Sequence, residues 1–235
     1  MNKIPLKIAQ QIAYRLGNLM APHCLRVELA GSVRRKKPEV SDIEMVVHPK
    51  KYWVGVDLPQ QDIFQPSKSQ AHRSELVDHC LMKLPNTTWI KTGFKDSSNL
   101  IKQHGKEVLK AVPGMALDLD VALSPEKNFG VDRKHWKGLT WYKDIPVKLD
   151  IFLAGSDNFG AIHFIRTGSK EFNLKMIAAL KKKGYGFEDG YLVHLAGSKH
   201  DNGKALGFDR QEFCYEESMI FEKAGMAYIE PKNRG

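Results

Sequence analysis

The sequence predicts an α+β fold in which amphipathic helices alternate with short strands. Apolar residues recur every three or four positions in residues 5–20 and 170–183, which is the period of a helix that buries one face. Residues 25–29 and 147–153 instead alternate between apolar and polar side chains, as half-buried strands do. With 235 residues, the chain is long enough for one domain or for a domain with a smaller lobe.

The remaining elements are predicted from the same two periods and from turn residues. Ser74 is a plausible cap for a helix that ends at Pro85. The other predictions, in chain order, are strand 42–47, loop 52–70, strand 87–91, a short helix near 99–110, acidic strand 117–123, hairpin 139–153, strand 191–195 and helix 216–223.

Composition favours a polyanionic partner and a reducing compartment. The net charge is +9 and the isoelectric point is near 9.3, a balance that suits nucleic acid or an anionic membrane surface. Cys24, Cys80 and Cys214 form neither a disulfide framework nor a metal-ligand pattern. We see no signal peptide and no membrane-spanning run, and therefore expect a cytoplasmic protein.

The most informative stretch joins a Gly-Ser turn to a pair of acids. Gly31-Ser32-Val33-Arg34-Arg35 follows the first predicted strand and offers backbone N–H groups, a hydroxyl and positive charge, a combination that suits phosphate. Asp42 and Glu44 lie two apart on the next strand, so that both face the same side. Two neighbouring carboxylates repel each other unless a cation lies between them, which indicates a divalent metal.

A third acid, Asp150, lies inside an otherwise apolar strand, where an unpaired charge would be costly. It either pairs with Lys148 on the same face or completes a metal site with Asp42 and Glu44. The rival pair Asp118 and Asp120 follows no Gly-Ser turn, and a solvent-facing role is the better interpretation for it.

These motifs resemble the family X DNA polymerases, the polymerase-beta-like nucleotidyltransferases. Ser32 to Asp42 spans ten positions and Asp150 to Ser169 spans nineteen, as in that family. The Thr167-Gly168-Ser169 helix start with Phe172-Asn173 is similar to the family's thumb. The resemblance implies an α+β palm with a mixed, mainly antiparallel sheet, and a small α+β thumb at the C-terminus.

The resemblance also implies roles for residues. Asp42, Glu44 and Asp150 would be the catalytic residues and would hold two Mg²⁺ ions, with Mn²⁺ able to substitute, for nucleotide transfer to a primer 3′-hydroxyl. The residues expected to bind the nucleotide are Gly31, Ser32, Arg35, Ser41, Ile165, Arg166, Gly168, Ser169 and Asn173. Those expected to contact DNA are Lys148, Lys170, Ile177, Lys181 and Lys182.

Several residues depart from the family pattern. Glu44 stands where well-known members have Asp, a form that resembles phage-encoded relatives. Ile165-Arg166 replaces a Tyr-Phe pair beside the incoming sugar, and Ile177 replaces an Arg that probes the template. These departures leave open whether the protein discriminates between deoxy- and ribonucleotides and how accurately it selects the base. We also expect no lyase activity.

We therefore predict a minimal DNA-directed DNA polymerase for short-gap filling in repair. It would be a monomer acting on primer-template or gapped DNA with (d)NTPs, with no membrane partner, in the host cytoplasm if phage-encoded. The expected divisions are an N-terminal helix (1–24), a palm (25–154) with an insertion at about 95–130, and a thumb (155–235). One rival is a template-independent nucleotidyltransferase acting on an RNA end, a protein or a small molecule. Another is a non-catalytic DNA-binding protein, which clustered carboxylates argue against.

Overall fold

A computed structural model of the chain describes residues 3–55, 70–76, 80–81, 87–90, 135–142, 145–195 and 211–235. The predicted helix at 99–110, the acidic strand with Asp118 and Asp120, and the expected insertion lie outside these residues. None of the helices that the structure describes has the length and apolar character needed to cross a membrane.

The described elements follow one another in a mixed order of strands and helices. They are β1 (Ile4–Pro5), α1 (Leu6–Met20), β2 (Cys24–Leu29), α2 (Gly31–Arg34), β3 (Glu39–Val40), β4 (Asp42–Pro49), β5 (Lys51–Gly55), β6 (Gln70–Ser74), β7 (Thr87–Ile90), β8 (His135–Tyr142), β9 (Ile145–Leu153), α3 (Phe159–Thr167), α4 (Lys170–Lys182), β10 (Tyr185–Glu188), β11 (Tyr191–His194), β12 (Gln211–Glu212) and α5 (Ser218–Ala224).

A five-stranded sheet forms the centre of the first part of the chain. Its strand order is β2-β4-β9-β8-β7, with β4 and β9 parallel and the other three pairs antiparallel. The predicted mixed, mainly antiparallel sheet is therefore confirmed. Helix α1 packs its buried Ala13 and Leu16 into the same core as Ile43 and Met45 of β4, because those two side chains point away from the acidic face of the strand.

The last third of the chain builds a second core. Helices α3, α4 and α5 pack against the small sheet β10-β11-β12 around residues such as Phe164, Met176 and Phe221. Helix α4 starts as the sequence predicts, because Ser169 caps it by accepting a hydrogen bond from the Phe172 N–H at 3.2 Å. The predicted α+β thumb is present.

Two local expectations change, and a third is described only in part. The predicted loop at 52–70 is wrong at both ends, because β5 and β6 pair as an antiparallel hairpin. The Gly31-Ser32 segment opens the short helix α2 rather than forming a turn. Ser74 ends β6 and directly precedes helical residues 75–76, where the Cys80 N–H donates to the Leu76 carbonyl; most of the predicted helix lies outside the described residues.

A buried carboxylate joins helix α2 to the thumb. Glu217 accepts two hydrogen bonds from Arg34, at 2.8 and 2.6 Å, and two from Arg234, at 3.0 and 3.1 Å. The Tyr228 hydroxyl also donates to it, and the Arg234 side chain is fully buried. Burial alone would raise the pKa of Glu217, but these three donors hold the pKa well below its ordinary value.

We predict that Glu217→Gln lowers the free energy of unfolding by about 3–5 kcal/mol, because it leaves the fully buried Arg234 and the half-buried Arg34 without their anion. The neighbouring Glu216 provides a matched control. Its bond to Arg26 is 2.7 Å long, but its side chain is 54% exposed, so that Glu216→Gln should cost less than about 1 kcal/mol. Urea unfolding of both variants at pH 7 measures the difference. Equal losses of unfolding free energy in the two variants would contradict a stabilising role for the buried Glu217 contacts.

The same pair of variants has a pH signature. Because folding lowers the pKa of Glu217 below its ordinary value of 4.5, its contribution to stability is complete above that value and is lost as the pH falls toward the folded-state pKa. The stability gap between the wild type and Glu217→Gln should therefore narrow as the pH falls below about 4.5. A gap that stays constant down to pH 3 would argue against an ionised Glu217.

Candidate active site

The parallel pairing of β4 with β9 brings three acids to one face of the central sheet. Glu44 lies directly opposite Asp150, and Asp42 lies opposite Lys148. Because strand side chains alternate, all four point to the same side. The alternate residues of the two strands, such as Ile43 and Leu149, are fully buried on the other side.

The three acids influence one another electrostatically. The pKa of Glu44 is raised to about 7, first by burial and then by the charges of Asp42 and Asp150. The pKa of Asp42 is also raised, first by burial and then by the charge of Asp150. The positive charges of Lys148 and Arg35 offset only part of this increase. This face of the sheet therefore concentrates more negative charge than the nearby cations neutralise.

Gly31 fits against the Glu44 carboxyl group. The backbone at Gly31 has φ of +60°, a conformation that favours glycine. A Cβ atom placed there would collide with the Glu44 carboxyl group, and the Ala30 N–H donates to the Glu44 carbonyl at 2.8 Å. The start of α2 thus holds the second acid in place.

The chemistry of these side chains fits a divalent cation of the magnesium type. Carboxylate oxygens are the ligands that such ions prefer, and a cation would relieve the repulsion that raises the pKa values of Asp42 and Glu44. Within the described ranges, however, no three His, Cys, Asp or Glu side chains are already gathered closely enough to hold a metal ion. The fit therefore lies in the type of ligand and the shared face, rather than in a preassembled cluster.

Three residues of the motif and the thumb each have a buried polar atom without a hydrogen-bond partner among the described residues. These atoms are Ser32 Oγ, Arg35 Nε and Asn173 Oδ1. The Ser32 hydroxyl lies near enough to Asp42 to lower its pKa slightly, but it is not at hydrogen-bond geometry with it. All three belong to residues expected to bind the nucleotide. A polar ligand would supply the partners that buried polar atoms otherwise almost always have.

The two arginines of α2 have different positions. Arg34 is engaged by Glu217 and by Thr167 Oγ1, the latter at 2.7 Å, and is therefore a structural residue, not the phosphate-facing charge that the motif suggests. Arg35 donates from Nη1 to the Thr167 carbonyl at 2.6 Å and contributes positive charge next to Asp42 and Glu44. Ser41 directly precedes β4, at the acidic end of that strand.

The thumb residues that are expected to bind the nucleotide lie together at the junction of α3 and α4. Asn173 Nδ2 donates to the Ile165 carbonyl at 2.7 Å, and a Cβ at Gly168 would collide with the Asn173 amide. The Ser169 hydroxyl is already used as the helix cap. Arg166 places its guanidinium 4.0 Å from the centre of the Phe152 ring and lowers the pKa of Glu44, which connects the thumb to the acidic face.

The residues expected to contact DNA lie mainly on α4. Lys170, Lys181 and Lys182 are exposed, and Ile177 is half-buried. Lys148, in contrast, belongs to the acidic face opposite Asp42. The structure therefore separates Lys148 from the exposed lysines of the thumb helix.

His135 was missed by sequence reasoning. Its Nε2 lies 2.7 Å from Asp150 Oδ1, which makes it a direct partner of the third acid. The predicted strand began at residue 139, four positions too late to include it. If the strand alternation had been extended back from Leu139, His135 would have been placed on the same face as Lys137, the residue opposite Asp150.

Residues 162–235 match the family model of the DNA polymerase beta thumb. This C-terminal segment is therefore similar to a polymerase beta thumb. The overall fold of the chain is also that of polymerase beta from Leishmania infantum. The ternary P/T complex of that protein matches 100% of this chain and 77% of its own chain, with a TM-score of 0.56 and 19% identity. The ternary gap complex of the same protein matches 99% of this chain and 71% of its own chain, with a TM-score of 0.55 and 18% identity.

Among curated proteins, none matches the chain. In fold and in its thumb, the chain resembles the polymerase beta type of family X, as the sequence predicts. The phage-type detail stays a prediction.

We predict that Gly31→Ala lowers the free energy of unfolding by at least about 1–2 kcal/mol, the cost of a left-handed backbone for a residue with a side chain, and displaces the Glu44 carboxyl group. Gly17→Ala is the matched control, because a Cβ there meets only Met45 Cε at 3.5 Å and Val27 Cγ1 at 3.9 Å. In the interior of α1, that change should stabilise by about 0.5–1 kcal/mol. Denaturant unfolding measures both, and a neutral Gly31→Ala would contradict the close fit.

Proposed function

We propose that the protein is a nucleotidyltransferase of the family X kind, a DNA-directed DNA polymerase that transfers a nucleotide from a (d)NTP to a primer 3′-hydroxyl. The observation that carries the proposal is the placement of Glu44 opposite Asp150, with Asp42 on the same face, beside a polymerase beta thumb. Acids so placed suit metal-assisted phosphoryl transfer, whose catalysis is mostly positioning and charge neutralisation.

Asp42, Glu44 and Asp150 would hold two Mg²⁺ ions, for which Mn²⁺ can substitute. When bound, the ions neutralise charge on the triphosphate and make the attacking hydroxyl more acidic. The part of the protein itself is to keep the three acids on one face, with Gly31 fixing Glu44 from the side of α2. Since Asp150 lies on β9, it approaches the pair on β4 from the neighbouring strand.

The nucleotide would lie between α2 and the junction of α3 and α4. The unsatisfied Ser32 hydroxyl and the Arg35 guanidinium would bind the β and γ phosphates, with the backbone at Gly31 and Ser41. Asn173 would meet the base pair through its unpaired Oδ1. The residues Ile165, Arg166, Gly168 and Ser169 would form the rest of the thumb side of the pocket.

DNA would bind along the positive thumb helix. Lys170, Lys181 and Lys182 are exposed on α4, Ile177 would lie beside the template, and Lys148 would neutralise charge next to the primer end. The chain as a whole carries a net charge of +9, which favours association with a polyanion. A monomer that fills short gaps during repair, in the cytoplasm of a host cell if phage-encoded, fits a catalytic unit (25–154) with a thumb (155–235).

A specific observation keeps a second acceptor open. Arg166 occupies the position where the resembling polymerases have an aromatic residue beside the sugar, and its guanidinium is held against Phe152. The pocket therefore lacks that aromatic wall, so that a template-independent transferase acting on an RNA end, a protein or a small molecule is the alternative.

We predict that the wild type extends a labelled primer on a one-nucleotide-gapped template only with the complementary dNTP, in the presence of Mg²⁺ or Mn²⁺. Asp42→Asn, Glu44→Gln and Asp150→Asn should each lower the rate by at least about 100-fold, since a positioned group that stabilises transition-state charge is typically worth 10²–10³. Single-turnover extension with each dNTP and rNTP separately measures both effects.

The control is Glu39→Gln, which removes an exposed carboxylate three residues before Asp42 and should leave the rate unchanged. Addition without regard to template, or to single strands only, would favour the alternative acceptor. An unextended primer with the wild type would refute the polymerase proposal.

The DNA proposal makes a separate prediction about salt. If Lys181 and Lys182 each contact a phosphate, Lys181→Ala and Lys182→Ala should each reduce the slope of log K against log salt by about 1. Lys223→Ala is the control, because Lys223 already forms a 2.8 Å ion pair with Glu212. Fluorescence anisotropy with gapped DNA at several salt concentrations measures the slopes, and unchanged slopes for both α4 variants would place the DNA elsewhere.

A further inference from the structure

His135 lies next to Asp150 because of the register of the hairpin that β8 and β9 form. Tyr142 pairs with Ile145, which places Lys137 directly opposite Asp150 and His135 directly opposite Phe152. His135 is therefore the diagonal neighbour of Asp150 on the same face, within reach of a long side chain. Its Nε2 lies 2.7 Å from Asp150 Oδ1, and the two side chains are 30% and 19% exposed.

The ring of His135 is fixed by stacking. It lies 4.2 Å from the Phe152 ring, centre to centre, with only 16° between the planes, and Phe152 itself is 4% exposed. The Arg166 guanidinium lies 4.0 Å from the centre of the same ring. Two groups at these distances cannot share one face of a ring, so Phe152 lies between His135 and Arg166. The imidazole therefore has little freedom to turn away from Asp150.

The direction of the hydrogen bond follows from the acceptor. An ionised carboxylate has no hydrogen to donate, so Nε2 carries the proton and donates it to Oδ1. One oxygen of Asp150 is thereby oriented by the protein. Partners that orient a ligating carboxylate in this way commonly change metal affinity or activity by 10–100-fold when they are removed.

We propose that His135 is a positioning residue for Asp150 in nucleotide transfer. It acts by donating one hydrogen bond from a ring that is fixed against Phe152. The inference rests on the proposed function, because Asp150 is the acid that would face the primer hydroxyl. It assigns a role to a residue that neither the motif nor the thumb match includes.

The experiment compares two substitutions that separate the bond from the stacking. His135→Phe keeps an aromatic ring against Phe152 but has no donor, whereas His135→Gln keeps an N–H donor without the ring. His194→Phe, in the thumb sheet, is the control for a change of the same kind elsewhere. Single-turnover primer extension gives the maximal rate and the dNTP dissociation constant, and anisotropy gives the DNA dissociation constant.

We expect His135→Phe to lower the maximal rate by about 10–100-fold, with both dissociation constants within about twofold of wild type. His135→Gln should recover a substantial part of the lost rate, and His194→Phe should behave as wild type. If the role of His135 were merely structural, the maximal rate of His135→Gln would fall as much as that of His135→Phe. A wild-type rate for His135→Phe, or equal loss in the two variants, would overturn the proposal.

A second readout does not depend on turnover. Mn²⁺ binding, followed by electron paramagnetic resonance with no nucleotide present, should weaken in His135→Phe and be partly restored in His135→Gln. If the wild type extends no primer, the proposed function fails, but weaker Mn²⁺ binding in His135→Phe still supports the positioning of Asp150. Unchanged Mn²⁺ binding in that case would overturn it.

Discussion

The parallel pairing of β4 with β9 is the constraint on which the rest of the site depends. It places Glu44 opposite Asp150 and puts Asp42 on the same face, so that one register brings all three acids to one side of the sheet. The same face becomes apolar farther along, where Val46 and Phe152 pack against Phe159 of α3. The thumb therefore covers one end of this face, and the acids lie at the other. A shift of one residue in the register would move Asp150 to the buried side.

A second constraint holds the thumb to the acidic face. Glu217 binds Arg34 of α2 and Arg234 near the C-terminus, so that the helix carrying Gly31 and Ser32 is tied to the last residues of the chain. Removing one partner of a buried ion pair is costly, so this contact stabilises the attachment of the thumb to α2. Arg35 and the Thr167 carbonyl add a second bond across the same boundary. Motif and thumb are therefore held together although they are separated by more than a hundred residues.

Much of this arrangement could be predicted from local patterns. Alternation identified β2 and β9, helical periodicity identified α1 and α4, and the Thr167-Gly168-Ser169 segment indicated where α4 begins. What could not be predicted depends on long-range pairing. No local pattern in either strand indicates that β4 and β9 pair in parallel. The contact between Arg34 and Glu217 joins residues that are 183 positions apart in the sequence. His135 was missed because the strand was predicted to begin at residue 139, whereas β8 begins at His135.

The most direct test of the account is the position of Mn²⁺ in a crystal of the wild type with gapped DNA and a non-hydrolysable (d)NTP analogue. Anomalous scattering locates manganese without reference to any assumed site. The account predicts manganese peaks bounded by the carboxylates of Asp42, Glu44 and Asp150, with the triphosphate extending toward Ser32 and Arg35. Manganese bound elsewhere, with these three acids unligated in a complex that contains DNA and nucleotide, would contradict it.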